Sequence, residues 1–172
     1  MKTSKVMAFV GCVCLLIIAV GCTPSTDTPV VHRNGEPDVL GVSGEDVQMN
    51  EAIAMAQRTL DGFALALENP QPNQYGFSVK VRLEDGAHIE HIWLSDPVVG
   101  NESVSGTIGN EPLDITGFEF GQSVEVPRGS VSDWMYVEDE VLKGGVTIRL
   151  LRDRMPPEEK AAFDASVPFL LE

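Results

Sequence analysis

The sequence predicts an α+β domain: an N-terminal amphipathic helix, a curled antiparallel sheet of five to six strands that could resemble a small barrel, and a short C-terminal helix. Three observations predict this class. Apolar residues recur at three- and four-residue steps over 47–68, the period of an amphipathic helix. Several later segments alternate apolar and polar residues, the period of a half-buried strand. Prolines followed by glutamates at 156–159 mark the start of another helix.

The first helix is predicted over 47–68. Asp46 can cap its start, and the Asn69-Pro70 pair ends it. A stripe of this width is typical of a helix face that packs on a core. Its members are Met49, Ile53, Ala56, Leu60, Phe63 and Leu67.

The remaining chain reads as strands and a closing helix. In the first strand, apolar residues alternate with Ser78, Lys80 and Arg82, which predicts one buried face and one wet face. Short strands joined by glycine-containing turns favour consecutive antiparallel pairing. The predicted strands are 77–83, 88–99, 103–108, 123–126, 131–137 and 146–151. The closing helix starts near Met155 and can pack back on the sheet through Phe163, Val167, Phe169 and Leu170.

The N-terminus carries the features of an export signal over residues 1–21. Lys2 and Lys5 precede an apolar run of about fifteen residues, 6–20. The alternative, an uncleaved anchor helix, would need roughly twenty residues to span a bilayer. The residues Ala19 to Cys22 resemble the lipobox of bacterial lipoproteins. That resemblance implies a diacylglycerol on Cys22 as the first mature residue.

Residues 22–45 are predicted to form a flexible tether, because Thr, Ser, Pro and Asn-Gly turn formers dominate and apolar periodicity is absent. A partner-binding peptide is the alternative for this segment. The folded domain is then 46–172. The expected location is the cell envelope, with the domain facing the periplasm or the exterior on a lipid anchor.

Composition excludes several functions. The formal net charge is -14, whereas a nucleic-acid footprint needs clustered Lys and Arg. The three cysteines all lie at or before Cys22, so the predicted domain has no thiolate chemistry, no thiolate metal site and no disulfide. Neither a Gly-x-Ser-x-Gly elbow nor a phosphate-binding or dinucleotide-binding glycine motif is found. No cofactor is therefore predicted.

Seven sequence blocks occur in an order that resembles the YegJ-like family of bacterial proteins, a domain of unknown function. The resemblance covers about residues 46–170. It implies a fold but no activity, and it carries over no catalytic or binding residue. The blocks are 46–54, 77–81, 90–94, 106–112, 121–126, 132–136 and 144–149.

Glu90, His91 and Asp133 are the candidates for catalysis. A buried aspartate is costly unless paired, and one with a raised pKa could act as a general base. The alternative is that Asp133 accepts backbone N–H groups and fixes a turn. His88 and Glu90 share one face of a strand and could begin a metal site, although the third ligand would have to come from elsewhere. A surface His88 is the competing interpretation.

Trp93, Trp134 and Arg149 are the candidates for ligand or partner binding. Both tryptophans could form the base of a binding cleft, or they could fill a small core. Together these features favour a non-enzymatic, lipid-anchored binding module that engages an envelope protein, an inhibitor or immunity protein being one version. The alternative is a small enzyme or metal-binding protein centred on Glu90, His91 and Asp133.

Overall fold

The computed structural model describes Val30–Val31, Val39–Leu40 and residues 46–171. The predicted signal, Cys22 and most of the predicted tether lie outside these residues. Within them, the elements are β1 (Val30–Val31), β2 (Val39–Leu40), α1 (Val47–Glu68), β3 (Gln74–Glu84), β4 (Ile89–Val99), β5 (Ser103–Ile108), β6 (Ser123–Pro127), a 3-10 turn (Arg128–Ser130), β7 (Val131–Glu138), β8 (Val141–Gly144), α2 (Val146–Arg154) and α3 (Pro157–Ser166).

Helix α1 begins and ends where the sequence predicts. The Asp46 carboxylate accepts a hydrogen bond from the Met49 N–H at 3.0 Å, which satisfies one of the free donors of the first turn. The helix ends at Asn69, ahead of Pro70. Its buried residues are Met49, Ala52, Ala56, Leu60 and Phe63, while Ile53 and Leu67 of the predicted stripe are half-buried.

The main sheet has six antiparallel strands in the order β6-β5-β4-β3-β7-β8. Consecutive pairing is confirmed from β3 to β6 and for β7 with β8. The exception is β7, which pairs with β3 and not with β6, the strand before it in the chain. The α+β class is confirmed, but the sheet is open, with β6 and β8 at its edges, so it does not close into a barrel.

The core lies between α1 and one face of the sheet. Register places Val79 beside Leu94 and Val81 beside Ile92 on that face. All four are fully buried and pack with Leu60 and Phe63 of the helix. Burying a side chain of this size stabilises the fold by about 1.5–3 kcal/mol.

The strand predicted over 146–151 is wrong, because this segment forms helix α2. Its consecutive β-branched residues, Val146, Thr147 and Ile148, favour a strand, but two tertiary features override that preference. Gly145 has φ 61° and turns the chain out of β8. Asp133, from β7, then accepts hydrogen bonds from the N–H groups of Val146 and Thr147, which starts a helix. The sixth strand is instead β8, which the sequence analysis missed.

Helix α2 is tied to α1 by an ion pair at the helix ends. The Arg154 guanidinium donates to Asp46 Oδ1 at 2.8 Å and also contacts Oδ2. The hydrogen bonds from Arg154, followed by the one from Met49, lower the pKa of Asp46 to about 2. One carboxylate therefore caps α1 and joins its start to the end of α2.

The predicted short C-terminal helix is confirmed as α3. Beyond it, the chain returns along β8: the Leu142 N–H donates to the Leu170 carbonyl at 2.9 Å, and the Leu170 N–H donates to the Glu140 carbonyl at 2.7 Å. Phe163, Val167 and Phe169 are half-buried, whereas the Leu170 side chain is exposed. The backbone of the chain end therefore covers the outer edge of β8.

Candidate functional site

Glu90 is buried and holds a loop. Its Oε2 accepts hydrogen bonds from the backbone N–H of Leu113 at 2.8 Å and of Asp114 at 3.2 Å. This loop buries Ile115 in the core. A carboxylate fixed by two backbone donors is built to position a loop.

Asp85 anchors the same loop from the turn between β3 and β4. It accepts from the N–H of Ala87 and His88 and from both the N–H and the hydroxyl of Thr116. These hydrogen bonds, led by the one from His88, hold the pKa of Asp85 well below its ordinary value. His88 itself is exposed, with its Nδ1 3.7 Å from Asp85 Oδ1.

His91 lies opposite Arg82 in the β3–β4 register. Partial desolvation of the ring, and then the charges of Lys80 and Arg82, lower the pKa of His91 to about 4. The imidazole is therefore neutral at neutral pH. In the described part of the chain, no three His, Cys, Asp or Glu side chains are grouped so as to hold a metal ion.

Asp133 is fully buried and accepts four hydrogen bonds at the start of α2. Oδ1 accepts from the N–H of Trp134 at 2.8 Å and of Val146 at 3.1 Å. Oδ2 accepts from the N–H of Thr147 at 2.8 Å and from its hydroxyl at 2.6 Å. Burial raises the pKa of Asp133, against the hydrogen bonds from Thr147 and Trp134 and the charge of Lys80, which lower it. All four of these hydrogen bonds lie at the β7–α2 junction.

Lys80 is a residue that sequence reasoning missed. The alternation of apolar and polar residues predicts that Lys80 lies on a solvent-exposed face. The strand register instead sets it between Trp93 on β4 and Asp133 on β7. Its Nζ lies 5.6 Å from the centroid of the Trp93 ring, a cation–π contact. Burial lowers the pKa of Lys80, and the Asp133 charge opposes that shift. Only the pairing of β3 with β7, which was not predicted, could have located it.

The structure does not bring Glu90, His91 and Asp133 together. Glu90 and His91 are neighbours on β4, so their side chains leave opposite faces of the sheet. Strand β3 separates β4 from β7, which sets their backbones about 10 Å apart. His91 and Asp133 share a face, but they pair with different residues of β3, His91 with Arg82 and Asp133 with Lys80.

Trp134 joins β7 to α1. Its Nε1 donates to the Ala56 carbonyl at 3.0 Å and lies 3.1 Å from the Thr59 hydroxyl. The ring centroid is 5.4 Å from that of Phe63. The side chain is half-buried in this aromatic packing, which is the arrangement of a core residue with a satisfied polar group.

Arg149 holds the backbone of β8. Its guanidinium donates from Nε to the Gly144 carbonyl at 3.1 Å and from a terminal nitrogen to the Leu142 carbonyl at 2.6 Å. The Trp93 side chain is half-buried under Lys80, and the Trp93 backbone N–H donates to Asn110 Oδ1 at 2.9 Å. Both candidate binding residues therefore have contacts within the fold.

A cleft of about 500 Å³ runs along β6 and faces the end of β3. Because two strands separate β6 from β3 in the sheet, residues of both can line one cleft only if the sheet is strongly curled. No sequence motif marks this cleft. Its lining comprises Arg82, Leu83, Glu84, Phe118, Gln122, Ser123, Val124, Glu125, Val126, Pro127 and Ser130.

A helix, an open antiparallel sheet and two short helices define a small α+β domain. Polar side chains hydrogen-bond at the junctions of these elements, and a lateral cleft lies beside β6. The chain belongs to the family described as "Uncharacterized protein conserved in bacteria (DUF2314)", which matches residues 46–169. The predicted YegJ-like resemblance is confirmed.

Two curated proteins are similar to this chain. The chain is 34% identical over 123 residues to the uncharacterised protein YegJ of Escherichia coli K12, a match that covers 71% of this chain and 79% of that protein. It is 40% identical over 83 residues to a putative ankyrin repeat protein of Neisseria meningitidis serogroup B, which covers 48% of this chain and 33% of that protein. No solved structure gives a significant match.

Among the described residues, no helix combines the length and the apolar character that crossing a membrane requires.

Proposed function

We propose that the domain over 46–170 is a non-enzymatic binding module, held on the outer side of a bacterial membrane by a lipid on Cys22, that engages an envelope protein through the cleft beside β6. The observation that carries the proposal is the cleft itself. It is open, has both apolar and charged walls, and adjoins a sheet edge. Concave surfaces of this volume are where ligands and partners bind.

The use of the polar side chains supports binding over catalysis. Glu90 and Asp133 are occupied by loop and helix N–H groups, and His91 lies on the other face from Glu90. A general base must reach the proton that it abstracts, within about 3 Å. The alternative of a small enzyme or metal-binding protein centred on these residues has no grouped set of side chains in its favour.

The relatives support a module that works within larger assemblies. The Neisseria protein contains the matched stretch as only 33% of its length, and its name assigns it ankyrin repeats. Repeat arrays of this kind present extended binding surfaces. A domain that is shared with a protein of that name, and that is here predicted to carry a lipid anchor, is most simply a recognition unit.

The anchor and the charge refine the proposal. The lipobox-like Ala19 to Cys22 segment supports lipidation, and the predicted tether over 22–45 would let the domain stand off the bilayer. The net charge of -14 is suited to rapid capture of a basic partner. This is the ground for the inhibitor or immunity version.

The test is capture of the partner by the full-length protein, extracted in mild detergent from its own membranes after cross-linking, at two salt concentrations. Ser123→Trp places a bulky ring at an exposed position of the cleft. Ser166→Trp is the matched control, because it makes the same change at the exposed end of α3. We expect a stoichiometric partner on the wild-type and Ser166→Trp proteins and its loss from Ser123→Trp. Equal capture by both variants, or no partner at all, would contradict the proposal.

A further inference from the structure

The two edges of the sheet are treated differently by the chain. At β8, the returning C-terminal segment satisfies the outward backbone groups through hydrogen bonds between Leu142, Leu170 and Glu140. At β6, no described strand lies on the outer side. An edge strand with free N–H and C=O groups is a template for another strand, and here that edge opens into the cleft.

The hydrogen-bond parity of β6 identifies which backbone groups face away from β5. Ile108 N–H donates to the Gln122 carbonyl, and Arg128 N–H donates to the Glu102 carbonyl. In an antiparallel ladder alternate residues face the neighbour, so the even-numbered positions 122–128 bond to β5. The backbone groups of Ser123, Glu125 and Pro127 therefore point away from the sheet, with N–H donors on the first two.

The side chains around this edge favour a basic occupant. Glu125 is exposed on β6, and Glu119 is exposed just before it. On the opposite wall, the Arg82 charge is neutralised by Glu84, whose carboxylate lies 2.7 Å away. The Arg128 charge is neutralised by Asp61. The remaining charge at the cleft is negative, in agreement with the net charge of -14.

We propose that an extended, basic segment of a partner protein binds in the cleft by adding to β6 as an antiparallel strand. This rests on the proposed function and names its partner chemistry. The segment pairs with the outward N–H and C=O groups of Ser123 and Glu125, and its lysine or arginine side chains neutralise Glu125 and Glu119. Main-chain pairing of this kind supplies affinity, and alternate side chains supply specificity.

Charge selects this occupant over two others. A second copy of the chain would bring a second charge of -14 and a second Glu125 to the same edge, which is repulsive. The predicted tether is also acidic, because Asp27, Glu36, Asp38 and Glu45 outnumber Arg33. Neither complements the cleft.

The experiment measures binding of a fluorescein-labelled peptide of alternating Lys and Val to the full chain in detergent, by anisotropy. Three peptides separate the contributions: the Lys/Val peptide, the same peptide N-methylated on the residues that face β6, and a Glu/Val peptide. We expect binding of the first, which weakens with salt. The N-methylated peptide should bind at least about tenfold more weakly, the loss expected when one or two hydrogen bonds are removed. The Glu/Val peptide should bind at least about tenfold more weakly because its charges are repelled by Glu125 and Glu119.

Two variants at one position test the edge itself. Glu125→Pro removes an outward N–H without removing a bond to β5, a placement that proline tolerates on edge strands. Glu125→Gln keeps that N–H and removes the charge. We expect about tenfold weaker binding for the proline variant and a smaller, salt-dependent loss for the glutamine variant. Thermal unfolding checks that both are folded; if the proline variant is not, the N-methylated peptide decides the result.

Several results would overturn strand addition. They are equal binding of the N-methylated or Glu/Val peptide, unchanged binding by folded Glu125→Pro, or a dimer in sedimentation that Glu125→Pro abolishes. The proposed function is tested separately from strand addition. If Ser123→Trp loses the native partner but the peptides give one of the overturning results above, the cleft binds its partner in another way. Only strand addition is then wrong.

Discussion

Replacing Asp133 by asparagine tests the central structural assignment, that this carboxylate starts α2. Asparagine keeps the shape of the side chain but retains one acceptor oxygen. Whichever way the amide is oriented, two of the four donors on Asp133 would meet an NH2 group. Leaving a buried donor without an acceptor costs about 1–3 kcal/mol. Relief from burying a charge offsets part of that loss, so we expect a net destabilisation of about 2–4 kcal/mol.

The assay is urea-induced unfolding followed by tryptophan fluorescence, since Trp134 adjoins the site, together with hydrogen exchange of the α2 amides. The midpoint should fall with an unchanged slope, and the α2 amides should lose protection before those of α1. Asp139→Asn is the matched control. Its carboxylate is exposed and bonds Asn73, so it should change stability by no more than about 0.5 kcal/mol. If the two variants are equally stable, Asp133 does not hold the helix.

Four further outcomes are expected. Trp134→Ala should lower the free energy of unfolding by about 3 kcal/mol, and Trp134→Phe by less, because only the alanine variant also loses the ring contacts; a wild-type melting curve for the alanine variant would refute this. Gly144→Ala should cost at least about 2 kcal/mol, since a Cβ there would lie 2.2 Å from the Trp134 carbonyl at φ 70°; unchanged thermal stability would refute it. An NMR titration should give a pKa of about 4 for His91, and Lys80→Gln should raise that pKa by removing a nearby cation. Because the pKa of His91 in the folded protein lies below the ordinary 6.5, this group lowers stability as the pH falls from 6.5 towards 4. Cys22→Ser should move the protein from the membrane fraction to the soluble fraction, and retention of the variant would refute lipidation.

The sequence predicts those elements whose burial pattern is local. Helix α1 is bounded by Asp46 and Asn69, as its caps indicate, and β5 has the predicted bounds. Elements decided by distant contacts are not predicted. The segment after Gly145 has a strand-like pattern and becomes a helix because a carboxylate from β7 meets its first N–H groups. Propensity is weaker than such a contact.

The candidate site divides in the same way. The sequence indicates that Asp133 is unusual, because an aspartate lies among apolar strand residues. It does not indicate the partners of that aspartate, since these depend on β7 pairing with β3 and on the position of α2. Lys80 and the cleft beside β6 depend on the same long-range pairing and on the curl of the sheet, so neither could be located from local spacing.

Two of the seven blocks that carry the family resemblance meet at one junction of the fold. The block over 132–136 supplies Asp133, and the block over 144–149 supplies the N–H groups that it accepts. The Gly145 N–H donates to the Trp134 carbonyl at 2.8 Å, and Arg149 bonds the backbone of β8. Each of these contacts determines how β7, β8 and α2 join. Because these contacts fix a junction of the fold, the resemblance predicts the fold while leaving activity open.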